Sequence, residues 1–518
     1  MDFFSVLSMI GGLALFLYGM HVMGDGLSKV SGGKMEKILE GLTSNPLKAV
    51  GLGALVTAVI QSSSATTVMV VGFVNSGIMK LSQAVGVIMG ANIGTTITSW
   101  ILSLSGIESD SFFIQMFKPT SFSPILAIIG VAFLLFAKSE KKKDIGTIFL
   151  GFAVLMFGMD SMSAAVKPLA DVPEFTGILT AFSNPFLGML AGALLTAVIQ
   201  SSSASVGILQ ALCVTGAVSY GVAIPIILGQ NIGTCVTALL SAIGAKKNAK
   251  RAAMVHLYFN IIGTTVFLIV FYGLNMVMNF EFLGQAADAA GIAVAHSAFN
   301  VFATAILLPF SSGLEKLACI TIRDEEETEP QSEAAQLLDV RFLEKPAFAM
   351  EQSRNAAKKM AEASKESLFT ALSMLGDYRE ADAEKVVAEE NNVDEYEDAL
   401  GSYLVKLGQK DLNVHDSRDL SIILHCIGDF ERISDHAVNI MESAKELHEK
   451  ELRFSEKALE ELKVISKAVV DIVSISYEVF ENTNIESAKK VEPLEEIIDE
   501  LNKELKSRHV RRLREGKC

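Results

Sequence analysis

Thr57-Ala58-Val59-Ile60-Gln61-Ser62-Ser63-Ser64-Ala65 returns unchanged, 139 residues later, as Thr196-Ala197-Val198-Ile199-Gln200-Ser201-Ser202-Ser203-Ala204. In each copy Gln-Ser-Ser-Ser interrupts an apolar stretch whose halves are only about a dozen residues long, whereas a helix crossing a bilayer needs about 20. Neither half crosses alone, so each pair reads as a re-entrant hairpin. The same offset relates Asn45-Pro46 to Asn184-Pro185, and Gly90-x-Asn92-Ile93-Gly94-Thr95 to Gly229-x-Asn231-Ile232-Gly233-Thr234. It also relates Gly12, Ala14, Gly19 and Met20 to Gly151, Ala153, Gly158 and Met159. A register this long without a gap marks a duplication.

Working outward, membrane spans are expected near 5–23, 83–105 and 122–137 in the first copy and 145–165, 220–243 and 252–274 in the second, with a seventh near 289–310. Three crossings are an odd number, so the second copy runs through the membrane in the opposite sense and the repeats are inverted. Short-loop charge agrees with this. Lys29, Lys34, Lys37, Lys48, Lys80, Lys138, Lys141, Lys142, Lys143, Lys246, Lys247, Lys250 and Arg251 all fall inside if the N-terminus is outside. The opposite loops carry Glu108, Asp110, Asp171, Glu174, Glu281 and Asp288, with Lys118 and Lys167 as exceptions. Asp2 stands where a signal peptide would carry basic residues, so residues 3–23 read as the first helix.

Composition divides the 518-residue chain in two. Residues 1–320 hold 16 Lys/Arg and 14 Asp/Glu, and residues 321–518 hold 28 and 45. Half of all residues are hydrophobic, which excludes disorder. Five scattered cysteines without a CxxC pair suggest neither a disulfide framework nor zinc.

A Gln-Ser-Ser-Ser turn at membrane depth needs a polar occupant. The half-helix that follows it starts there, so its free N–H groups and positive dipole end join the hydroxyls in favouring an anion. Neutral donors hold an oxyanion and still release it. The candidate substrate cradle is Gln61, Ser62, Ser63 and Ser64 with Gln200, Ser201, Ser202 and Ser203. Serine clusters also serve as helix glue, a weaker explanation once the cluster is duplicated. Asn-Ile-Gly-Thr within spans two and five is expected to unwind locally, because Gly and Asn are poor helix formers. Oxygens of Asn92, Thr95, Thr98, Asn231, Thr234 and Thr237 then suit a small hard cation such as sodium, although glycines four apart also suit close helix crossing. His256 and His296 each occur in His-x-x-Phe-Asn and are assigned no role.

Paired Gln-Ser-Ser-Ser hairpins with paired Asn-Ile-Gly-Thr helices resemble the type II sodium-phosphate cotransporter family, over nearly all of residues 5–310. The resemblance implies phosphate held between Gln61–Ser64 and Gln200–Ser203, with sodium near the two Asn-Ile-Gly-Thr segments. The second copy departs from the first at Cys235-Val236, where the first has Thr96-Ile97, and at Val206, where the first has Thr67.

Beyond Arg323, Asp324 to Glu333 reads as a polar linker, and a soluble helical domain begins near 344. Leu420, Ile423, Leu424, Ile427, Phe430 and Ile433 recur at helical spacing, and similar stripes give about five long helices. The acidity of this half argues against binding to nucleic acid. Glu431-x-x-x-Asp435 resembles the helices of PhoU-type phosphate-signalling proteins, which would make Glu431 and Asp435, with Asp394, ligands of a divalent or iron metal. The competing reading is an ordinary acidic pair on a solvated helix, neutralised by Arg432. A fainter repeat, Val393-Asp394-x-x-Glu397 with Val491-Glu492-x-x-Glu495, places the counterpart of Glu431 beyond Cys518, so the second metal helix is expected to be missing.

The expected architecture is all-α: a polytopic membrane protein of two inverted repeats with re-entrant hairpins, followed by a soluble helical bundle. Its divisions are repeat one at 1–143, repeat two plus a final span at 144–322, a linker at 323–343 and the PhoU-like domain at 344–518. The expected activity is no enzymatic one. It is a cell-membrane symport that imports inorganic phosphate with sodium, with the helical domain cytoplasmic and open to a homo-oligomer or a phosphate-signalling partner. A sodium-coupled carrier of another oxyanion and a membrane phosphate sensor are the alternatives.

Overall fold

The structure is a computed structural model, and it describes residues 3–31, 45–104, 119–172, 177, 182–323, 334 and 337–516. Among them the regular structure is helical, apart from an isolated bridge between Ser219 and Ala286. The chain forms two compact units, Met1–Thr328 and Glu329–Cys518.

The first unit contains α1 (Phe3–Ser31), α2 (Pro46–Ile60), α3 (Ser63–Asn75), α4 (Leu81–Ser103), α5 (Pro119–Phe136) and α6 (Glu140–Val166). It continues with α7 (Pro185–Ile199), α8 (Ser202–Cys213), α9 (Tyr220–Ser241), α10 (Lys247–Met278), α11 (Ala289–Leu307) and α12 (Ser311–Thr321). Among the described residues, six helical stretches are long and apolar enough to cross a membrane: Phe4–Leu27, Leu81–Ser103, Glu140–Leu169, Tyr220–Ser241, Lys247–Met278 and Ala289–Thr321. The expected third span is α5, whose apolar part, Ser121–Phe136, is shorter than these six. The protein is thus built to sit in lipid. Val198, Met276 and Phe136 are each more than 80% exposed, surface that water would penalise and acyl chains solvate.

Packing follows the 139-residue offset. α1 lies along α6, α2 along α4 and α7 along α9, while α3 packs against α9 and α8 against α4. The contacts are close because glycines face backbone. A Cβ on Gly90 would lie 2.0 Å from the Val50 carbonyl oxygen, and one on Gly229 would lie 1.9 Å from that of Met189, residue for residue the same approach. The α1–α6 contact exchanges partners: Gly19 meets the Leu155 nitrogen and Gly158 meets the Phe16 nitrogen.

These glycines correct one expectation. Residues 92–95 and 231–234 lie inside unbroken helices α4 and α9, and neither segment unwinds. Glycine weakens an isolated helix, but here it lets two backbones interlock, and tertiary contact outweighs propensity.

The second unit contains α13 (Pro346–Met374), α14 (Glu380–Leu407), α15 (Val414–Glu449), α16 (Glu456–Asn482), the short α17 (Ile485–Ala488) and α18 (Val491–Arg514). Helices α13, α14 and α15 pack on one another around Leu368, Ala371, Met374, Val386, Ala437 and Met441. Ile423 and Ile427 of the expected stripe are buried, and Leu420, Leu424, Phe430 and Ile433 are half-buried. Asp324 to Glu333, read as a linker, lies outside the described residues.

Candidate functional site

Both Gln-Ser-Ser-Ser segments are built alike. Asn45 starts α2 and Asn184 starts α7, each accepting a backbone N–H of the first turn with Pro at the first helical position. Each helix ends on its glutamine in the left-handed region, Gln61 at φ 59° and Gln200 at φ 58°. A non-glycine residue there is disfavoured by about 1–2 kcal/mol, so the surroundings must hold it. Ser62 and Ser201 then turn the chain back to extended geometry, and their hydroxyls accept from Ala65 N and Ala204 N, both at 3.2 Å. The caps satisfy the third N–H of each new helix. The first two, on Ser63 and Ser64 and on Ser202 and Ser203, have no intrahelical acceptor.

The two turns meet. Ser64 Oγ donates to the Gln200 carbonyl oxygen at 3.4 Å. Ser63, Ser202 and Ser203 are at least 95% buried. The motif contributes no formal charge, so the convergent groups are neutral hydroxyls, amides and helix N-termini, a set that suits an oxyanion.

The Asn-Ile-Gly-Thr residues lie beside these hairpins through the α2–α4 and α7–α9 contacts. Asn92, Thr95, Thr98, Asn231 and Thr234 are all buried. Thr95 Oγ1 donates to Ala91 O at 3.1 Å and Thr234 Oγ1 to Gln230 O at 2.9 Å, which leaves each hydroxyl presenting only lone pairs.

The two copies differ where their sequences agree. Thr98 Oγ1 donates to Gln61 Oε1 at 2.9 Å and Gln61 is buried, whereas Gln200 is exposed and the buried Thr237 Oγ1 has no partner among the described residues. Likewise Thr57 Oγ1 donates to Thr66 Oγ1 at 3.0 Å, while its counterpart Thr196 Oγ1 is unpartnered. The two glutamines therefore stand in different surroundings, Gln61 bonded and buried and Gln200 exposed. For the glutamines no sequence signal announced this, because Gln61 and Gln200, like Thr98 and Thr237, are identical, whereas Thr66 has Ser205 as its counterpart.

In the second unit, Glu431 and Asp435 sit on α15 and Asp394 on α14. Burial raises the Glu431 carboxyl above its ordinary value, and Asp435, Glu397 and Asp394 raise it further. Glu390 is raised by burial and by Asp394 and Asp435. These carboxylates therefore repel one another, yet among the described residues no three metal-ligating side chains converge on a common point. The geometry does not fit the expected metal site. Asp394 and Asp435 are exposed, as a solvated acidic face would be.

The fold and its paired polar turns define a polytopic membrane protein with a second, helical unit. Residues 15–164 and 154–292 match the Na+/Pi-cotransporter family model, and the chain belongs to that family. Residues 357–444 match the PhoU domain model. The "Putative inorganic phosphate export protein YjbB" of Salmonella typhimurium is 26% identical over 516 residues, 98% of this chain and 91% of that protein. "Uncharacterized protein YqeW" of Bacillus subtilis is 29% identical over 313 residues, 60% of this chain and 96% of its own length. Rat "Sodium-dependent phosphate transport protein 2A" is 27% identical over 185 residues, 35% of this chain and 27% of that protein. No solved structure matches.

Proposed function

We propose that the protein is a secondary active symporter that imports inorganic phosphate down a sodium gradient. The observation that carries this reading is the meeting of two Gln-Ser-Ser-Ser turns at the Ser64–Gln200 contact, with free N–H groups and hydroxyls converging and no fixed positive charge. Phosphate sits between Gln61–Ser64 and Gln200–Ser203. Sodium takes oxygens of Asn92, Thr95, Thr98, Asn231, Thr234 and Thr237, the donor chemistry a hard cation prefers. The two copies, 1–143 and 144–322, are inverted repeats with re-entrant hairpins. The N-terminus is outside, and residues 344–518 form a cytoplasmic PhoU-like domain joined by a linker at 323–343. The buried Gln61 and exposed Gln200 support a cycle in which the two turns differ in access.

Export is a second reading, supported by the name of the relative aligned along 98% of the chain. A symporter is reversible and its direction follows the gradients, so one experiment addresses both. Purified protein in proteoliposomes should accumulate labelled phosphate when sodium is higher outside, and potassium should not substitute. Phosphate movement indifferent to sodium would overturn the coupling, and equal uptake of labelled sulfate would favour a general oxyanion carrier.

A further inference from the structure

A shorter echo runs through the first unit. His256-x-x-Phe259-Asn260-x-x-x-Thr264 on α10 returns 40 residues later as His296-x-x-Phe299-Asn300-x-x-x-Thr304 on α11. Spacing by four sets His, Asn and Thr on one stripe of each helix. All six are at least 95% buried, and both helices pack on α4 and α9, the two helices that carry Asn-Ile-Gly-Thr. Helix α10 also packs on α3 as α11 does on α8, so each of the two helices meets α4, α9 and one of the half-helices that follow Gln-Ser-Ser-Ser.

Each asparagine in the stripe is fixed by its own helix. Asn260 Nδ2 donates to His256 O and Asn300 Nδ2 to His296 O, both at 2.9 Å. A backbone carbonyl only accepts, so the bond settles which end of the amide is which and turns Oδ1 outward as an acceptor. On Asn260 that acceptor is used: Asn92 Nδ2 donates to Asn260 Oδ1 at 3.2 Å. The polarity is thereby passed on. Asn92 must give its N–H to Asn260, which directs its own carbonyl oxygen, the cation-ligating end, the other way.

On Asn300 the same acceptor is idle. Asn300 Oδ1 is buried without a partner among the described residues, and Asn231 Nδ2 donates instead to Ile227 O of its own helix at 3.2 Å. A fully buried unused amide oxygen is rare enough to need a reason.

We propose that Asn260 and Asn300 are positioning residues for the coupling ion. Each supplies the acceptor that orients an Asn-Ile-Gly-Thr asparagine, Asn92 or Asn231, with its carbonyl toward the cation, and the structure holds the first pair engaged and the second released. The inference rests on the reading of Asn92 and Asn231 as sodium ligands.

The test uses the full-length protein in proteoliposomes and measures the half-saturating sodium concentration separately from the phosphate KM at saturating sodium. Asn260→Ala should raise the sodium requirement about 10-fold or more, as loss of an outer-shell partner commonly does, with phosphate KM within about twofold. Asn260→Asp retains an acceptor and should stay at or below the wild-type sodium requirement. Asn260→Leu, close to Asn in shape, replaces the alanine variant should that one fail to fold. Adding Asn260→Ala to Asn92→Ala should cause no further rise, and Asn300→Ala should show the same selective shift through Asn231. Unchanged sodium dependence, an equal rise in phosphate KM, or aspartate as impaired as alanine would overturn the proposal. If Asn92→Ala itself leaves sodium dependence unchanged, the cation reading of Asn92 fails and the proposal with it; if only the Asn260 variants do, positioning fails alone.

Discussion

At the scale of single residues, the informative side chains are those whose environment their type does not explain. Gln61 and Gln200 hold left-handed backbone that glycine would adopt freely, and the serines that follow open new helices whose first N–H groups have no intrahelical acceptor. Ser63→Ala and Ser202→Ala should each weaken phosphate binding about tenfold or more, because a hydrogen bond lost from a buried site costs roughly 1–3 kcal/mol. Isothermal titration on folded variants measures it, and unchanged affinity in either would remove that hairpin from the site. Glu431 makes an opposite kind of prediction. Its carboxyl is raised by burial and then by Asp435, Glu397 and Asp394, so its folded state binds protons more tightly than the unfolded chain. The stability it contributes is present at low pH and lost as pH rises through the folded value. Glu431→Gln should therefore raise the melting temperature of the helical unit at neutral pH and cease to do so below the ordinary glutamate value of 4.5. A lower melting temperature at neutral pH would mean that the carboxylate has a partner. The duplicated Gln-Ser-Ser-Ser made the paired turns legible in the sequence; the burial of Gln61 and exposure of Gln200 were not, since identical residues cannot announce different surroundings.

At the scale of elements, the paired short helices and the long helices could be read from apolar length and the 139-residue register, but Asn-Ile-Gly-Thr does not break its helix as its composition suggests. A sequence shows that Gly90 and Gly94 lack side chains, not what lies against them. Here it is the backbone of α2, and the helix stays intact because that neighbour supports it. Gly90→Ala should thus force α2 from α4, since its Cβ would fall 2.0 Å from Val50 O, and Gly229→Ala should do the same to α7 and α9. Overpacking of this kind costs about 1–3 kcal/mol. Gly51→Ala, on α2 with nothing within 4 Å of its new Cβ, is the matched control. Thermal unfolding followed by size-exclusion chromatography should show lower midpoints for the first two and no change for the third. Equal midpoints for Gly51→Ala and Gly90→Ala would mean that the glycines are kept for some reason other than close approach. Similarly, His-x-x-Phe-Asn was visible as an echo, but only the packing of α10 and α11 on both Asn-Ile-Gly-Thr helices gives the asparagines a task.

At the scale of the whole molecule, the charge distribution and the composition shift near residue 321 marked two differently solvated units, and the chain does cluster as two. Every candidate for holding phosphate or sodium, from Gln61 to Thr237, and both positioning asparagines belong to the first unit. The second unit offers a helical bundle with a raised carboxylate cluster and no converging metal ligands among its described residues. The Bacillus subtilis relative, 96% of which aligns over 313 residues, is too short to contain both units of this 518-residue chain. Transport chemistry and helical appendage should accordingly be separable. Deleting residues 324–518 should leave sodium-dependent phosphate uptake measurable in proteoliposomes, with altered control in cells or an altered amount of folded protein. Phosphate KM and the sodium requirement should remain near their full-length values, because no ligand has been removed. Loss of uptake from truncated protein that still elutes as a folded, correctly inserted species would show that the helical unit is an obligate part of the transport cycle. The different surroundings of Gln61 and Gln200 would then have to be set from outside the first unit.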